Sequence, residues 1–225
     1  MRATRREYES EGLDERELAP TPWQQAQRWV EDALARAADR GDVPEPTALS
    51  VATVDARGRP DVRTVLMRFF DPDGPGFVTN LESSKARQLA SNPAVAASLT
   101  WPSMFRAIRF RGTAVLLGRE EVTAYFGHRP WGSRISAWAS LQSRPVDARD
   151  ELESAYAEYA ARFPDTGSVT DVPVPDFWGG YRIRCEEVEF WAGRRDRLHD
   201  RLVFHRVGEG GLDSAAAWSI ARRQP

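Results

Sequence analysis

The chain has 225 residues, which fits one large domain or two small ones, and a single compact domain is the simpler interpretation. A formal net charge of -2 gives no general attraction to nucleic acid, so anion binding must depend on local arginine and lysine clusters. The single cysteine, Cys185, excludes an internal disulfide framework and a metal site built from several thiolates. Without a signal-peptide pattern or a bilayer-length apolar run, we expect a cytoplasmic protein with no membrane partner.

The first predicted elements are an arm, a helix and three strands. Residues 1–20 are charged and weakly periodic, so we expect a mobile arm, with residues 21–225 forming one domain. Thr21 can cap a helix, and apolar residues then recur at helical spacing as far as Gly41. From Leu49 the pattern alternates, which predicts strands joined by short turns, with the sequences ALSVATVD, DVRTVLMRFF and GFVTN.

The rest of the chain alternates between short strands and helices. Ser83 and Ser84 can cap a short helix ending near Leu89, and Asp147 can cap a longer one. Strands are predicted at residues 94–101, 106–117, 181–191, 201–207 and 218–222, and helices at residues 120–126, 135–140 and 148–163. Roughly seven or eight antiparallel strands with inserted helices predict a mainly β fold, a β-barrel with added helices.

Four groups of side chains are suited to binding anions. They are Arg63 with Arg68, Ser84 with Lys85, Arg129 with Ser133, and the cationic residues between 197 and 201. In the last group, a β-strand would place Arg197, His199 and Arg201 on one face, where a phosphate or an electron-rich ring could bind. A charged, solvated edge strand has the same composition. The three histidines have no metal-ligand spacing, so no metal site is expected.

Seven segments in order along the chain carry a family resemblance. They are RREY at 5–8, RTVLMR at 63–68, VTNLESSKARQ at 78–88, YFGHRPWGS at 125–133, AWASLQSRP at 137–145, FWGGYRI at 177–183 and FWAGRRDRLHDR at 190–201. Together they resemble the pyridoxine (pyridoxamine) 5'-phosphate oxidase family. The resemblance implies an antiparallel FMN-binding split β-barrel with added helices, which forms a homodimer with FMN in a cleft between the two subunits.

The same resemblance assigns residues to the cofactor. Those implied to hold the FMN phosphate and ribityl chain are Arg63, Lys85, Gln142 and Ser143. Those implied to add further contacts are Thr64, Val65, Leu66, Met67, Arg68, Val78, Thr79 and Ser84. Trp191 and Arg201 would contact the flavin from the partner subunit.

Substrate residues are implied in the same way. The substrate phosphate would contact Arg68, Tyr125, Arg129 and Ser133, and the pyridine ring would contact Arg197, Leu198 and His199. The implied catalytic residues are Arg197, which would clamp and steer the ring, and His199, which would be its polar partner. The arm segment Arg5, Arg6, Glu7 and Tyr8 would fold over the substrate as a lid.

The implied reaction is oxidation of pyridoxine or pyridoxamine 5'-phosphate to pyridoxal 5'-phosphate. A hydride would pass from C4' of the substrate to N5 of the flavin, giving the aldehyde directly from the alcohol, or from the amine an imine that water hydrolyses to the aldehyde. O2 would restore the flavin with release of H2O2.

Four positions depart from the family pattern, and these departures predict weak FMN binding. Arg68 stands in place of a lysine, Val78 of an aromatic residue, Ser84 of an arginine and Ala107 of a glutamine. Two alternatives stay open: a split-barrel oxidase of another substrate, such as a dihydrophenazine, and a non-catalytic protein that binds flavin or pyridoxal phosphate. Retention of Tyr125, Arg129 and Ser133 favours a phosphorylated pyridine, and retention of Arg197 and His199 favours catalysis.

Overall fold

A computed structural model describes residues 7–8 and 10–225, and these residues form five helices and nine strands. The helices are α1 (Pro22–Arg40), α2 (Ser84–Ser91), α3 (Arg119–Gly127), α4 (Trp131–Ala139) and α5 (Arg149–Arg162). The strands are β1 (Ala48–Val54), β2 (Pro60–Leu66), β3 (Phe69–Asp71), β4 (Gly74–Asn80), β5 (Ala94–Trp101), β6 (Arg106–Leu116), β7 (Trp178–Ala192), β8 (Asp200–Arg206) and β9 (Trp218–Arg222). Three short 3-10 turns join some of them.

The capping residues of α1 and α2 are as predicted. The Thr21 hydroxyl accepts the backbone N–H of Gln24 at 3.2 Å, and Gly41 ends α1 with a positive φ of 68°. Ser83 caps α2 by accepting the N–H of Ala86 at 3.4 Å. These signals are local, so the sequence alone locates both helices.

The long strand predicted for DVRTVLMRFF is wrong, because the structure divides it into β2 and β3. The N–H of Met67 donates to the carbonyl of Thr47 at 2.9 Å, and the next N–H, of Arg68, donates to Gly76 at 2.8 Å. The chain therefore changes hydrogen-bonding partner from the β1 side to β4 between two adjacent residues. This change turns the sheet and opens a space beside the end of β2.

The predicted start of α4 and the predicted cap of α5 are also wrong. α4 begins at Trp131 rather than 135, because the carbonyl of Pro130 accepts the N–H groups of Ser133 at 2.9 Å and Arg134 at 3.1 Å. Asp147 does not cap α5, whose N-cap position is Ala148 and has no side-chain hydrogen bond. Acidic residues in the first turn of α5 face the positive end of its dipole instead.

All strand pairs are antiparallel, and β7 is the strand that the others are arranged around. The sheet order is β2-β1-β5-β6-β7-β4-β3, with β8 on β7 and β9 on β8. One edge of β7 pairs along its length with β6. The other edge pairs first with β4, as far as Arg182, and from Glu187 onward with β8. The two ends of β7 therefore belong to two different parts of the sheet.

Two apolar clusters stabilise the described chain. The larger lies inside the curled sheet and includes the fully buried Phe77, Phe110, Phe190 and Phe204. The smaller lies under α3, α4 and α5 and includes Phe126, Ile135 and Trp178. Across residues 7–8 and 10–225, no helix is both long and apolar enough to cross a membrane.

A bulge in the β6–β7 pair depends on Gly112. The register shifts between Arg111 and Gly112, which lie opposite Glu187 and Cys185. A Cβ at position 112 would overlap the carbonyl oxygen of Arg184, a backbone atom that cannot rotate away.

Gly112→Ala is expected to lower the free energy of unfolding by about 3 kcal/mol, because the methyl group must push β6 and β7 apart. Gly118→Ala is the matched control, since an added Cβ there meets no atom within 4 Å. Urea denaturation of both variants measures the difference. Equal stability of the two variants would contradict the steric role of Gly112.

Candidate active site

A cavity of about 920 Å³ lies beside the end of β2, where β4, α2, α3 and α4 meet, and its volume suits a small-molecule site. Its walls include most residues that the resemblance assigned to FMN, namely Arg63, Thr64, Val65, Leu66, Arg68, Val78, Thr79, Ser84, Lys85, Gln142 and Ser143. They also include three residues assigned to the substrate phosphate, Tyr125, Arg129 and Ser133. The structure thus brings both groups into one cavity. Met67 stays outside the wall because it is buried in the core.

Lys85 occupies the buried end of this cavity, where α2 begins. Its side chain is 7% exposed, and Nζ donates to Thr79 Oγ1 and to Gln142 Oε1, each at 3.0 Å. Burial, together with the charge of Arg63, lowers the pKa of Lys85 to about 8. A cation held only by neutral oxygen atoms keeps its attraction for an anion.

Arg63 lies next to Lys85 and is already held by several oxygen atoms. Its guanidinium donates to Thr53 Oγ1 at 2.7 Å, to Gln88 Oε1 at 3.0 Å and to the carbonyl of Val51 at 3.1 Å. It also forms an ion pair with Asp61 at 2.6 Å. Arg63 is therefore rigid, and part of its charge is balanced before any ligand arrives.

Arg129 lines another part of the cavity wall, the Arg129 end, at the turn between α3 and α4. Its guanidinium carbon is 4.4 Å from the ring centre of Trp178 and 5.6 Å from that of Phe126. Among the described residues, its buried Nη1 has no hydrogen-bond partner. Burial, and to a lesser extent the charge of Arg68, lowers the pKa of Arg129, although Tyr125 opposes the shift. This end is a second cationic site suited to an anion.

Four residues of the cavity wall were not predicted: Asp61, His128, Pro130 and Trp178. His128, Pro130 and Trp178 lie within segments that carry the family resemblance, and this position is a signal that could have identified them as site residues. Asp61 stands two residues before Arg63 and therefore on the same face of β2.

A second cluster surrounds the β7–β8 hairpin. The ring of His199 lies 4.8 Å from Trp191 and 5.4 Å from Tyr8, and the Arg197 guanidinium lies 5.8 Å from Tyr8. Tyr8 also stacks on Phe105 at 4.7 Å. Leu198 is 70% exposed beside this cluster. Glu7 is exposed, and Arg5 and Arg6 lie outside the described residues.

The expectation that Arg197, His199 and Arg201 share one face of a strand is wrong. β8 begins only at Asp200, and Arg197 lies in a 3-10 turn where it and Asp196 have positive φ angles of 65° and 56°. Such angles are rare for residues other than glycine, so the surrounding structure must hold this turn. Arg197 is therefore directed by a strained turn rather than by the pleat of a sheet.

His199 has a defined hydrogen-bonding state. Its Nδ1 accepts the backbone N–H of Arg194 at 3.0 Å, which places the ring proton of the neutral form on Nε2. Burial and the charge of Arg197 lower the pKa of His199, although Asp200 opposes the shift. At neutral pH the side chain therefore presents Nε2–H as a donor.

Arg201 is paired with a buried carboxylate. Its Nε and Nη2 bind the two oxygens of Glu189 at 3.0 and 2.8 Å, and Glu189 is almost completely buried. Arg109 and Arg223 contact the same carboxylate at 3.4 Å. The orientation of the Arg201 side chain is thus set within the protomer.

Asp200 ties two separate segments, around Leu13 and Arg222, to this hairpin. Its carboxylate accepts the backbone N–H of Leu13 at 2.9 Å, pairs with Arg222 at 2.5 Å and also binds Arg194. Burial raises the pKa of Asp200, but the hydrogen bonds outweigh burial and hold it below its ordinary value. Gly12 has a φ of 79°, and a Cβ there would overlap Arg194 and Asp200. The described part of the arm is therefore packed on the hairpin from Leu13 onward, while the division of the chain at residue 20 stays a prediction.

The cavity and the hairpin cluster lie at opposite ends of β7. Trp178 lines the cavity at the first residue of β7, and Trp191 joins the hairpin cluster near the last. At about 3.3 Å per residue, they are roughly 40 Å apart along the strand. No residue of 190–201 lines the cavity.

Comparisons with known proteins identify the family. A model described as "Pyridoxamine 5'-phosphate oxidase" matches residues 36–163, and one described as "Pyridoxine 5'-phosphate oxidase C-terminal dimerisation region" matches residues 178–225. The chain belongs to the pyridoxamine 5'-phosphate oxidase family. It is 46% identical to the pyridoxine/pyridoxamine 5'-phosphate oxidase of Streptomyces avermitilis, over 99% of this chain and 95% of that one. It is also 46% identical to the enzyme of the same name from Kineococcus radiotolerans, over 97% and 96% of the two chains.

Solved structures related to the pyridoxamine 5'-phosphate oxidase family have the same fold. PhzG from Burkholderia lata 383, in complex with tetrahydrophenazine-1-carboxylic acid, is 30% identical with a TM-score of 0.81, covering 96% of this chain and 99% of that one. A pyridoxamine 5'-phosphate oxidase-related, FMN-binding protein from Nostoc punctiforme is 20% identical with a TM-score of 0.66, covering 91% and 97%. The predicted antiparallel split barrel with added helices is therefore confirmed.

The positions that depart from the pyridoxamine 5'-phosphate oxidase pattern lie in two places. Arg68, Val78 and Ser84 line the cavity, whereas Ala107 pairs with Trp191 across β6 and β7 at the hairpin end.

Within the described residues, no group of three His, Cys, Asp or Glu side chains is placed to hold a metal ion.

Lys85 makes anion binding by the cavity dependent on pH. Its low pKa means that the positive charge is present below about pH 8 and is lost as the pH rises through that value. Inorganic phosphate is therefore expected to bind roughly tenfold more weakly at about pH 9.5 than at about pH 7.5, as measured by calorimetry.

Lys85→Arg is the matched control, since a guanidinium stays charged throughout this range and should flatten the profile. An unchanged slope in Lys85→Arg would assign the pH dependence to another group.

Proposed function

We propose that the protein is an FMN-dependent oxidase that converts pyridoxine 5'-phosphate or pyridoxamine 5'-phosphate to pyridoxal 5'-phosphate and works as a homodimer. The observation that carries the proposal is the cavity with two cationic ends, one at Lys85 and one at Arg129. FMN and a phosphorylated pyridine each carry one phosphate, so a cavity with two cationic ends can bind one phosphate of each molecule. Family membership and two relatives that are 46% identical and named for this reaction support it.

The Lys85 end suits the phosphate and ribityl chain of FMN. Lys85 would provide the buried charge and Arg63 a rigid second cation, while the side chains of Thr79 and Gln142 would bind polar oxygens. Ser143 has a positive φ of 71° at the cavity wall, where its backbone can approach a ligand closely. The remaining wall residues proposed to contact FMN are Thr64, Val65, Leu66, Arg68, Val78 and Ser84. Met67 would support them from the core.

The Arg129 end suits the phosphate of the substrate. Arg129 has unused donor capacity, and Arg68, exposed on the same cavity wall, adds a second charge. Tyr125 and Ser133 provide hydroxyl groups that can donate to phosphate oxygens. This arrangement would bind the substrate by its phosphate and leave the pyridine ring directed into the cavity.

The hairpin cluster would complete the site from the partner subunit. β7 holds Trp191 far from the cavity of its own chain, so a second copy must bring the hairpin to it. Trp191 and Arg201 would contact the flavin, and Arg197, Leu198 and His199 the pyridine ring. The match of residues 178–225 to a dimerisation region supports this arrangement.

Arg197 and His199 would position the substrate ring rather than remove a proton. Arg197 is held by a strained turn and presents a planar guanidinium, which can clamp a flat ring. His199 is neutral and presents Nε2–H as a donor, because its Nδ1 is occupied by Arg194. Bound FMN would supply the oxidation itself, accepting a hydride from C4' at its N5 and passing the electrons to O2 to form H2O2.

The arm would act as the lid of this site. Tyr8 already lies on the hairpin cluster, between Phe105, Trp191 and His199. Arg5, Arg6 and Glu7 precede it and are proposed to reach the substrate bound at that hairpin. Water excluded by this closure would strengthen the polar contacts inside.

A second candidate is oxidation of a reduced phenazine, since the PhzG structure is in complex with tetrahydrophenazine-1-carboxylic acid. That relative is less similar in sequence, at 30% identity. A cavity end with an unpartnered buried guanidinium nitrogen also suits a small phosphate, with up to two negative charges, better than the single carboxylate of a large fused ring system.

The purified protein, loaded with FMN, is expected to form pyridoxal 5'-phosphate and H2O2 from pyridoxine 5'-phosphate under air. Absorbance of the aldehyde product and a peroxidase-coupled assay measure the two products. FMN binding without turnover, combined with turnover of a reduced phenazine, would favour the second candidate. Failure to bind FMN would favour a non-catalytic pyridoxal phosphate carrier.

Arg197→Met is expected to lower kcat/KM about 100-fold or more and leave FMN binding unchanged, because a clamp on the substrate is lost but the cofactor site is not. Arg197→Lys keeps the charge without the planar fork and should give an intermediate loss. Unchanged turnover in Arg197→Met would remove this residue from the mechanism.

Mixing of two inactive variants tests whether two subunits share each site. Lys85→Met disables the cavity and Arg197→Met disables the hairpin. A mixed dimer contains one intact site, made of the cavity from one chain and the hairpin from the other. Unfolding and refolding an equal mixture is therefore expected to restore about a quarter of the native activity. No recovery, with dimers verified by light scattering, would mean that each site belongs to one chain.

A further inference from the structure

Trp178 lines the cavity beside Arg129, at the first residue of β7. We infer that Trp178 is a positioning residue for the substrate phosphate: its ring holds Arg129 in place and leaves the guanidinium able to bind an anion. This inference rests on the proposed function and specifies what makes its site selective for phosphorylated substrates.

Arg129 has an unusual environment for a partly buried cation. Most buried arginines pair with carboxylates, as Arg201 does with Glu189. Among the described residues, no carboxylate or carbonyl binds the Arg129 side chain, and its Nη1 is buried without a partner. Burial and the like charge of Arg68 both disfavour its charged form, although Tyr125 opposes them. Something other than an ion pair must therefore keep Arg129 inside the cavity.

The aromatic face of Trp178 provides that attraction. The guanidinium carbon lies 4.4 Å from the ring centre of Trp178, closer than the 5.6 Å to Phe126. A tryptophan ring attracts a cation most strongly of the aromatic side chains. Because an aromatic ring carries no formal charge, it attracts the guanidinium without neutralising it. A carboxylate would hold Arg129 equally well but would neutralise it.

Trp178 is itself held rigidly. It is 8% exposed, packs against Phe126 at 5.7 Å in a T-shaped pair, and lies opposite Asn80 in the β4–β7 ladder. Its carbonyl accepts a hydrogen bond from Arg119 at 3.1 Å. The position of Arg129 is thereby linked to the sheet that also carries Thr79 at the Lys85 end.

The consequence is selectivity for ligands that carry a phosphate. A neutral substrate gains little from Arg129, so loss of Trp178 should matter for phosphorylated ligands and have little effect on pyridoxine itself. A purely structural role would weaken both kinds of ligand together with the fold.

The test compares Trp178→Leu with Trp178→Phe and uses Trp138→Leu as a control. Trp138 belongs to the same aromatic cluster, but it contacts Tyr159, Phe163 and Phe177 and does not line the cavity. Each variant is measured for KM and kcat with pyridoxine 5'-phosphate and for KM with pyridoxine. Inorganic phosphate binding to the FMN-loaded protein, in which the Lys85 end is occupied, is measured by calorimetry, together with FMN affinity and Tm.

Trp178→Leu is expected to raise KM for pyridoxine 5'-phosphate and weaken phosphate binding about 5- to 30-fold, with a change of about twofold or less for pyridoxine and for FMN. Trp178→Phe keeps an aromatic face and should lose about threefold or less. Trp138→Leu should lower Tm and leave KM unchanged.

A double variant decides whether Trp178 acts through Arg129. In an Arg129→Ala background, Trp178→Leu should cause little additional loss, because the residue it positions is gone. Equal losses with and without Arg129, or equal losses for phosphorylated and neutral substrates, would overturn the inference. Absence of any turnover of pyridoxine 5'-phosphate by the native protein would instead count against the proposed function, and phosphate calorimetry would still test Trp178.

Discussion

The length of β7 is the constraint on which the rest of the structure depends. A strand that pairs along one whole edge with β6 cannot bend back on itself, so its two ends stay roughly 40 Å apart. The cavity is built at the first end, from β4, α2 and the turn between α3 and α4. The hairpin cluster is built at the other end, where β8 replaces β4 as the partner of β7. One chain therefore carries two half-sites, the cavity and the hairpin cluster, which cannot come together within that chain.

Inside the cavity, cations are held by neutral groups. Lys85 is bound by a hydroxyl and an amide oxygen, and Arg129 by an aromatic ring. Neutral partners fix a side chain without cancelling its charge, and burial then makes the uncompensated charge unfavourable until an anion arrives. Arg63, paired with Asp61, is the contrast within the same wall. The free energy stored in this arrangement becomes available to ligand binding.

Local signals explain what could be predicted from the sequence. The caps at Thr21 and Ser83 and most of the alternating strands depend on neighbouring residues, so the sequence predicts them. The break at Met67 and the strained turn at Arg197 depend on partners distant in sequence, which periodicity does not report. The cavity residues were assigned by resemblance. The contact of Arg129 with Trp178 was missed because no spacing rule links two positions in separate elements.

The carboxylate of Asp200 has a consequence for how related sequences can diverge. It binds the backbone at Leu13 and the side chains of Arg194 and Arg222, while Gly12 leaves the space that these contacts occupy. A substitution in any one of these segments changes what the other two must accommodate. Positions 12, 194, 200 and 222 should therefore vary together among relatives, as a single evolutionary unit that spans nearly the whole chain.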